Sequence, residues 1–248
     1  MFIPAIVLGV GGCSMFGENN VEIRRNMRDY LKTAYSKEFD VGKPDLTGNE
    51  GFGYNNYVAD AYPIDNPQIK FIILCNKRAP YAYQDDYLNA MWSYQGSPEI
   101  QKLLQEIYGE EVLFKYNIYL NLDKIKVLKD ELKTLNHSDV TKKYKEDVLH
   151  RITYYVFLAT EFDKRREAEK IYSIYSRYIT MKELPKYYLT VYFLKLENKN
   201  ELLKEIDKPE DYFDDQNLYR DKKLLNAIFI NTSSNLKSPE DVVLKYKY

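Results

Sequence analysis

Histidine is the side chain most ready for proton transfer or metal ligation near neutral pH, and this 248-residue chain has two, His137 and His150. They stand thirteen residues apart, at no metal-ligand spacing with a cysteine or with each other, and each is expected at the surface. Nucleophile signatures are missing: there is no Gly-x-Ser-x-Gly and no Ser-x-x-Lys with its partner motifs. The acidic stretch Asp207, Glu210, Asp211, Asp214, Asp215 and Asp221 offers hard oxygen ligands of the kind calcium takes. It lacks the glycine-centred spacing of a calcium loop and reads as a solvated connection held by Tyr212, Phe213 and Tyr219. No metal site and no cofactor is expected. Tyr81, Tyr83, Tyr87 and Tyr94 gather around an Ala-Pro loop and the following helix start. Rings of this kind anchor a peptide, sugar or protein when exposed and fill a core when buried, so they are the candidate partner-binding residues. Tyr172, Tyr175 and Ile179 have helical spacing and read as core.

The remaining chemistry lies at the N-terminus. Residues 1–12 read MFIPAIVLGVGG and precede Cys13 and Ser14. An apolar run ending in Val10 and the small pair Gly11-Gly12 before a cysteine resembles a bacterial lipobox. That resemblance implies cleavage before Cys13 and lipidation of its thiol, a membrane anchored through lipid, and a protein facing outside the cell. No Lys or Arg precedes Cys13, whereas a signal peptide opens on positive charge, so the true start is expected upstream. Two rival readings use the same residues. In one, residues 3–8 are a buried strand and Cys13 an ordinary buried thiol in a cytoplasmic protein, an immunity-type partner of a toxin. In the other, Gly9-x-Gly11 opens a dinucleotide site. The third glycine position of that fingerprint is Ser14, and GENN at 17–20 starts a sheet-packing helix poorly. Cys75, inside FIILC, reads as a buried strand residue rather than a catalyst.

Composition narrows the function classes. Lysine and arginine number 36 against 37 acidic residues, so no basic field attracts phosphate and no nucleic-acid partner is expected. With 45% hydrophobic residues the chain can bury a core as one large or two ordinary domains. The longest apolar run, at the N-terminus, is about half the roughly 20 residues a membrane-spanning helix needs.

The elements that must position any site follow from periodicity. Ile23, Met27, Tyr30, Leu31 and Ala34 mark an amphipathic helix over 21–35, and Glu38–Val41 alternates as a strand. Tyr57, Ala59 and Ala61, the turn PIDNP at 63–67, then Ile69, Phe71, Ile73 and Cys75 make a hairpin. A helix capped by Asp85 or Asp86 carries Leu88, Met91 and Trp92. Gly96 is expected to interrupt it before Ser97-Pro98-Glu99 starts another, which Gly109 ends in a left-handed conformation. Beyond Gly109 strands at 114–120, 151–161, 187–196 and 224–231 are separated by helices near 123–135, 163–179 and 200–206, and Ser238-Pro239-Glu240 opens a last helix. Alternation inside several strands favours one-sided, antiparallel burial. The expectation is an α+β protein of antiparallel sheets with helices packed on one face, in two lobes: residues 1–19 as signal and tether, 20–109 as the first lobe, 110–248 as the second.

Cys13 after Gly11-Gly12, Tyr30-Leu31-Lys32 with Tyr35 and Glu38-Phe39, Tyr57-x-Ala59-x-Ala61-Tyr62-Pro63 with Asn66-Pro67, and Asp86-Tyr87-Leu88 with Trp92 together resemble uncharacterised lipoproteins of Gram-positive bacteria with AT-rich genomes. The resemblance spans roughly the first 110 residues. It implies a lipid-anchored extracytoplasmic α+β protein and supplies no catalytic residue. The functional expectation is a non-enzymatic binding or interaction module. The alternative is a small exported hydrolase with dispersed carboxylates, which needs a pocket holding acids of raised pKa.

Overall fold

The structure, a computed structural model, describes residues 15–49, 53–76, 82–109, 112–159, 161–206 and 215–248. The fold is α+β, built on two sheets. The chain divides into two compact units, Met1–Tyr87 and Leu88–Tyr248. Composition and punctuation place a boundary near Gly109. The division between the units lies at the start of the helix that ends before Gly109.

In the first unit α1 (Met15–Tyr35) buries Met27, Leu31 and Tyr35, the stripe that its periodicity specifies. It begins at Met15, so residues 15–19, assigned to a tether on sequence, are helical. Strand β3 (Gly53–Pro63) pairs antiparallel with β1 (Phe39–Val41), β2 (Asp45–Asn49) and β4 (Phe71–Asn76), and β5 (Tyr83–Asp85) extends the sheet beside β4. The expected hairpin is β3–β4, with Ala59 opposite Ile73. Ala59 and Ala61 on one strand and Phe71, Ile73 and Cys75 on the other are buried, while Asp60 and Ile72 between them are exposed. Small residues on β3 leave room for the rings: Phe39 meets Tyr87 at 5.0 Å and Phe71 at 5.7 Å, both edge-on. Asp85 is buried beside them. The Tyr35 hydroxyl donates to its Oδ1 (2.5 Å), the Tyr30 hydroxyl to its Oδ2 (2.8 Å), and the Tyr87 N–H to Oδ1 (3.2 Å). Burial and the adjacent Asp85 charge push both phenols far up.

The second unit is organised by a four-stranded sheet in the order β6 (Val112–Tyr119), β7 (Leu149–Leu158), β8 (Tyr187–Lys195), β9 (Leu224–Asn231). The outer pairs are antiparallel, but β7 and β8 run parallel. The connection between those two strands is α5 (Lys164–Ile174), since parallel neighbours need a crossover of a dozen or more residues. Residues 152–157 of β7 are buried on both faces. That is the burial expected of a central strand beside a parallel partner, and it replaces the one-sided alternation inferred for this lobe.

Helix α2 (Tyr87–Tyr108) runs unbroken through Gly96 and Pro98. Pro98 removes one backbone donor, and the Ser97 hydroxyl bonds back to the Ser93 carbonyl at 2.8 Å. The same helix packs side-chain acceptors against the C-terminal end of β6: Ser93 Oγ accepts the Ile118 N–H at 2.9 Å and Asn89 Oδ1 the Leu120 N–H at 3.0 Å. Both side chains are buried, and they satisfy the Ile118 donor of β6 and the Leu120 donor just beyond its end. Gly109 follows the helix with φ +83°, its N–H bonded to the Gln105 carbonyl, the left-handed stop that its residue type favours.

Helix α5 continues as a π-helical segment, Tyr175–Thr180, with i→i+5 bonds such as Met181 N–H to Ser176 O. The wider turn lets the adjacent pairs Ile174-Tyr175 and Tyr178-Ile179 all point inward. The remaining helices are α3 (Leu122–Leu132), α4 (His137–Lys143), α6 (Lys199–Ile206), α7 (Asp215–Arg220) and α8 (Pro239–Val243). The last of these opens on Ser238-Pro239 as its residues specify, with the Asp241 carboxylate accepting the Ser238 N–H at 3.2 Å.

Candidate functional site

The two faces of the second sheet differ in kind. On one face Tyr116, His150 and Tyr154 point toward α2 and the α5 region. The Tyr116 hydroxyl lies 2.8 Å from His137 Nε2 and 3.0 Å from His150 Nδ1, and it accepts the Tyr178 hydroxyl at 3.0 Å. A phenol carries one proton, so with Tyr178 already donating to it, Tyr116 donates to one imidazole and accepts an N–H from the other. Two neutral rings of opposite presentation complete the network. His150 is 3% exposed, contrary to the expectation that both histidines lie at the surface; β7 carries it inward by alternation. Burial lowers its pKa to about 3, with His137 and the Lys182 ammonium acting in the same direction. Burial also lowers His137. The four residues come from β6, α4, β7 and the π-helical segment, and only the fold assembles them.

A second polar cluster on this face joins Tyr108, Tyr154 and Glu167. Glu167 Oε1 accepts from Lys170 at 2.8 Å, while Glu167 Oε2 and both hydroxyls are buried without a hydrogen-bond partner. Tyr154→Phe is therefore expected to leave stability unchanged or to raise it by up to about 1 kcal/mol, because the buried hydroxyl removed has only the neighbouring Tyr108 hydroxyl to interact with, at poor hydrogen-bond geometry. Urea unfolding measures this; a loss above that size would show that the hydroxyl is bonded in solution.

The opposite face is covered over only part of its extent. There Tyr155, Phe157, Tyr192, Leu194 and Ala227 pack under Leu202 and Ile206 of α6 and Leu218 of α7. Toward the other end of the strands the register sets two rows of side chains beyond this cover. One row is Asn117, Arg151, Tyr188 and Asn231; the next is Lys115, Thr153, Thr190 and Phe229, in which Thr153 is still buried. Tyr188 and Phe229 are 46% and 44% exposed. The Arg151 guanidinium lies 5.5 Å from the Tyr119 ring centre and 5.8 Å from that of Tyr188. Phe229 is held edge-on by buried Tyr192 at 6.0 Å, which in turn stacks on Tyr155 at 5.4 Å, and the Lys247 ammonium sits 5.3 Å from its ring. Exposed rings braced from below by core rings lose little freedom when they contact a ligand. No acidic residue occurs at these sheet positions. Sequence does not expose either row, because neighbours within them are separated by 34 to 43 residues and meet only through strand register.

Of the sequence-predicted residues, Cys13 and Tyr81 lie outside the described residues, as do residues 3–8 and the acidic positions 207–214. Tyr83 is half-buried and stacks on Tyr30 at 4.7 Å. Tyr87 is 3% exposed in the aromatic core of the first unit, so it supports packing and is not open to a partner. Tyr94, in the second unit, is 39% exposed on α2. Tyr175 and Ile179 are buried, the core role that their spacing indicates. Among the described residues no helix is long and apolar enough to cross a membrane, and no group of three or more His, Cys, Asp or Glu is placed to hold a metal ion. A cleft of about 290 Å³, at the lower limit of ligand pockets, opens where β7 and β8 end, beside Leu158, Glu161, Lys195, Glu197 and Leu225.

A solved structure of a DUF5037 family protein from Ruminococcus gnavus is similar in fold, with a TM-score of 0.55 over 91% of this chain and 94% of that one at 14% identity. At that identity the likeness concerns the fold alone. No protein-family model matches the chain, and no curated protein matches its sequence.

Proposed function

We propose that this protein is a non-catalytic binding module, anchored outside the cell membrane by lipid on Cys13, that presents the uncovered part of its second sheet to a partner. The observation that carries the binding role is the patch of Arg151, Tyr188 and Phe229, two exposed rings on adjacent strands with a guanidinium beside one of them. Aromatic residues and arginine dominate binding energy at recognition surfaces, and here they stand on strands rather than on loops. The anchor rests on the lipobox-like residues before Cys13. The hydrolase alternative calls for a carboxylic acid of raised pKa. The displaced carboxylates among the described residues, Asp40, Glu106, Asp130, Glu131 and Glu240, move the other way, each held down by hydrogen bonds.

Two measurements test this reading. Expressed with its native upstream DNA in a Gram-positive host, the protein should carry a lipid-sized mass on a chain starting at Cys13 and partition into detergent, and Cys13→Ala should abolish both. An unmodified chain retaining Met1 refutes the anchor. The purified soluble chain should sediment with cell envelopes, and the triple variant R151A/Y188A/F229A should sediment at least about tenfold less while keeping its thermal stability. Equal sedimentation of both proteins refutes the binding face.

A further inference from the structure

We infer that the cleft beyond the ends of β7 and β8 is a second site, which binds a small aliphatic amine. Its place in the fold is the first argument. β7 and β8 run parallel, so their carboxyl ends lie side by side, and the chain leaves them toward opposite faces of the sheet. After β7 it enters α5, whose π-helical continuation sets the Tyr178 ring 6.4 Å from that of His150 on one face. After β8 it enters α6, whose Leu202 and Ile206 cover Tyr155 and Tyr192 on the other. Two connections that diverge in this way leave a crevice directly beyond the strands, and in open sheets with parallel strands that crevice is where ligands bind. Here it measures about 290 Å³. It is separate from the sheet face proposed above: Arg151 and Tyr188 stand near the starts of the same two strands, about 20 Å away at about 3.3 Å per residue.

The lining selects the ligand. Leu158, Leu196 and Leu225 are half-buried and give the cleft an apolar wall against which a short hydrocarbon body packs. Three charged groups border it. The Lys195 ammonium and the Glu197 carboxylate stand 3.6 Å apart and compensate each other. Glu161 is the third, and among the described residues it makes no hydrogen bond or ion pair. The uncompensated charge at the cleft is therefore negative and complements an ammonium. The common occupant of such a crevice, a phosphate seated on a helix N-terminus, fits poorly here. Asp163 already caps α5, accepting the Arg165 N–H at 3.0 Å and the Arg166 N–H at 3.2 Å, and it adds a further carboxylate on that side. The chain enters α6 through a 3₁₀ turn, Leu196–Asn198, with no glycine-rich loop to cradle an anion.

n-Hexylammonium, hexanol and hexanoate share one hydrocarbon chain and differ in charge, and amide NMR titrations of the full chain compare them. n-Hexylammonium should bind in the millimolar range and shift the amides of Leu158, Ala159, Glu161, Leu196 and Leu225. Hexanol should bind there about fivefold more weakly, the scale of one exposed ammonium–carboxylate pair, and hexanoate more weakly still. Glu161→Gln should bring n-hexylammonium down to the level of hexanol and leave hexanol itself unchanged. Ala159→Trp, at an exposed position bordering the cleft, should exclude all three. R151A/Y188A/F229A should leave every titration as it was, so that failure of the sheet face and failure of the cleft are read separately. The inference is overturned by the lack of a saturable shift, by shifts centred elsewhere, or by hexanoate binding as well as n-hexylammonium. It is equally overturned if Glu161→Gln binds n-hexylammonium undiminished, a result that decides the matter even where Ala159→Trp fails to fold.

Discussion

Between pH 7 and pH 4 the second unit is expected to lose about 3 kcal/mol of stability through His150 alone. The ring is neutral when folded because burial holds its pKa near 3, against 6.5 for an exposed imidazole. Below pH 6.5 the unfolded chain takes up a proton that the folded chain refuses. Stability is therefore complete above about pH 6.5 and falls by about 1.4 kcal/mol for each pH unit down to about 3, where both states are protonated. His137 shifts in the same direction and adds to the slope. The groups facing His150 explain why it stays uncharged: Tyr116 and Tyr178 are neutral phenols, His137 would be a second positive ring, and Lys182 is a cation, itself paired to Glu99 at 2.7 Å. A proton on both imidazoles would also point two N–H donors at Tyr116 while Tyr178 donates to it as well, which exceeds what one phenol oxygen accepts. The single tryptophan, Trp92, is buried in this unit and reports its unfolding. Urea titrations at pH 7, 5.5 and 4.5 on the native chain and on His150→Gln measure the effect. The variant should be weaker at pH 7 but should lose much less on acidification; equal pH slopes would show that His150 is not the titrating group.

The second large effect is expected at Gly96, where two rules of opposite sign compete. Replacing glycine by alanine inside an exposed helix raises stability by about 1 kcal/mol, through propensity alone. At Gly96 a Cβ would come within 2.5 Å of both His137 Nε2 and Tyr116 Cε1, and 2.8 Å from His137 Cδ2. Those are ring atoms fixed by the Tyr116 network, by Gln95 accepting the His137 N–H at 2.8 Å, and by Trp92 Nε1 donating to the Leu135 carbonyl at 2.8 Å. They have no flexible end to swing away. Gly96→Ala should therefore destabilise by about 2–3 kcal/mol, the cost of overpacking a filled site. In a His137→Ala background, with one of the two clashing rings removed, the same substitution should cost distinctly less. Thermal or urea unfolding of the four proteins gives the coupling directly, and a stabilising Gly96→Ala would show that the rings yield to the added methyl.

Legibility differs between elements for identifiable reasons. The α1 stripe, the β3–β4 hairpin and the Gly109 stop depend on residues within a few positions of one another, so periodicity and turn chemistry expose them. Gly96 misled for the same reason. A glycine followed by Ser-Pro-Glu looks like a break and restart locally, but its missing side chain serves the close approach of His137 and Tyr116, and the helix continues because Pro98 sacrifices only one bond. Tyr87 shares the composition of an exposed aromatic cluster and lies in the core, since burial depends on which way its helix turns toward Phe39 and Phe71.

By itself the sequence determined the α+β class, the positions of most strands and helices, and the absence of a strong net charge, because these follow from local residue types and their repeats. Tertiary structure alone decided the parallel pairing of β7 and β8, the burial of His150, and the meeting of Tyr119, Arg151, Tyr188 and Phe229 on one face of the second sheet. Those features depend on strand order and register. A shift of one residue in register sends a side chain to the opposite face, and nothing in the neighbouring residues of a single strand records which partner it will meet.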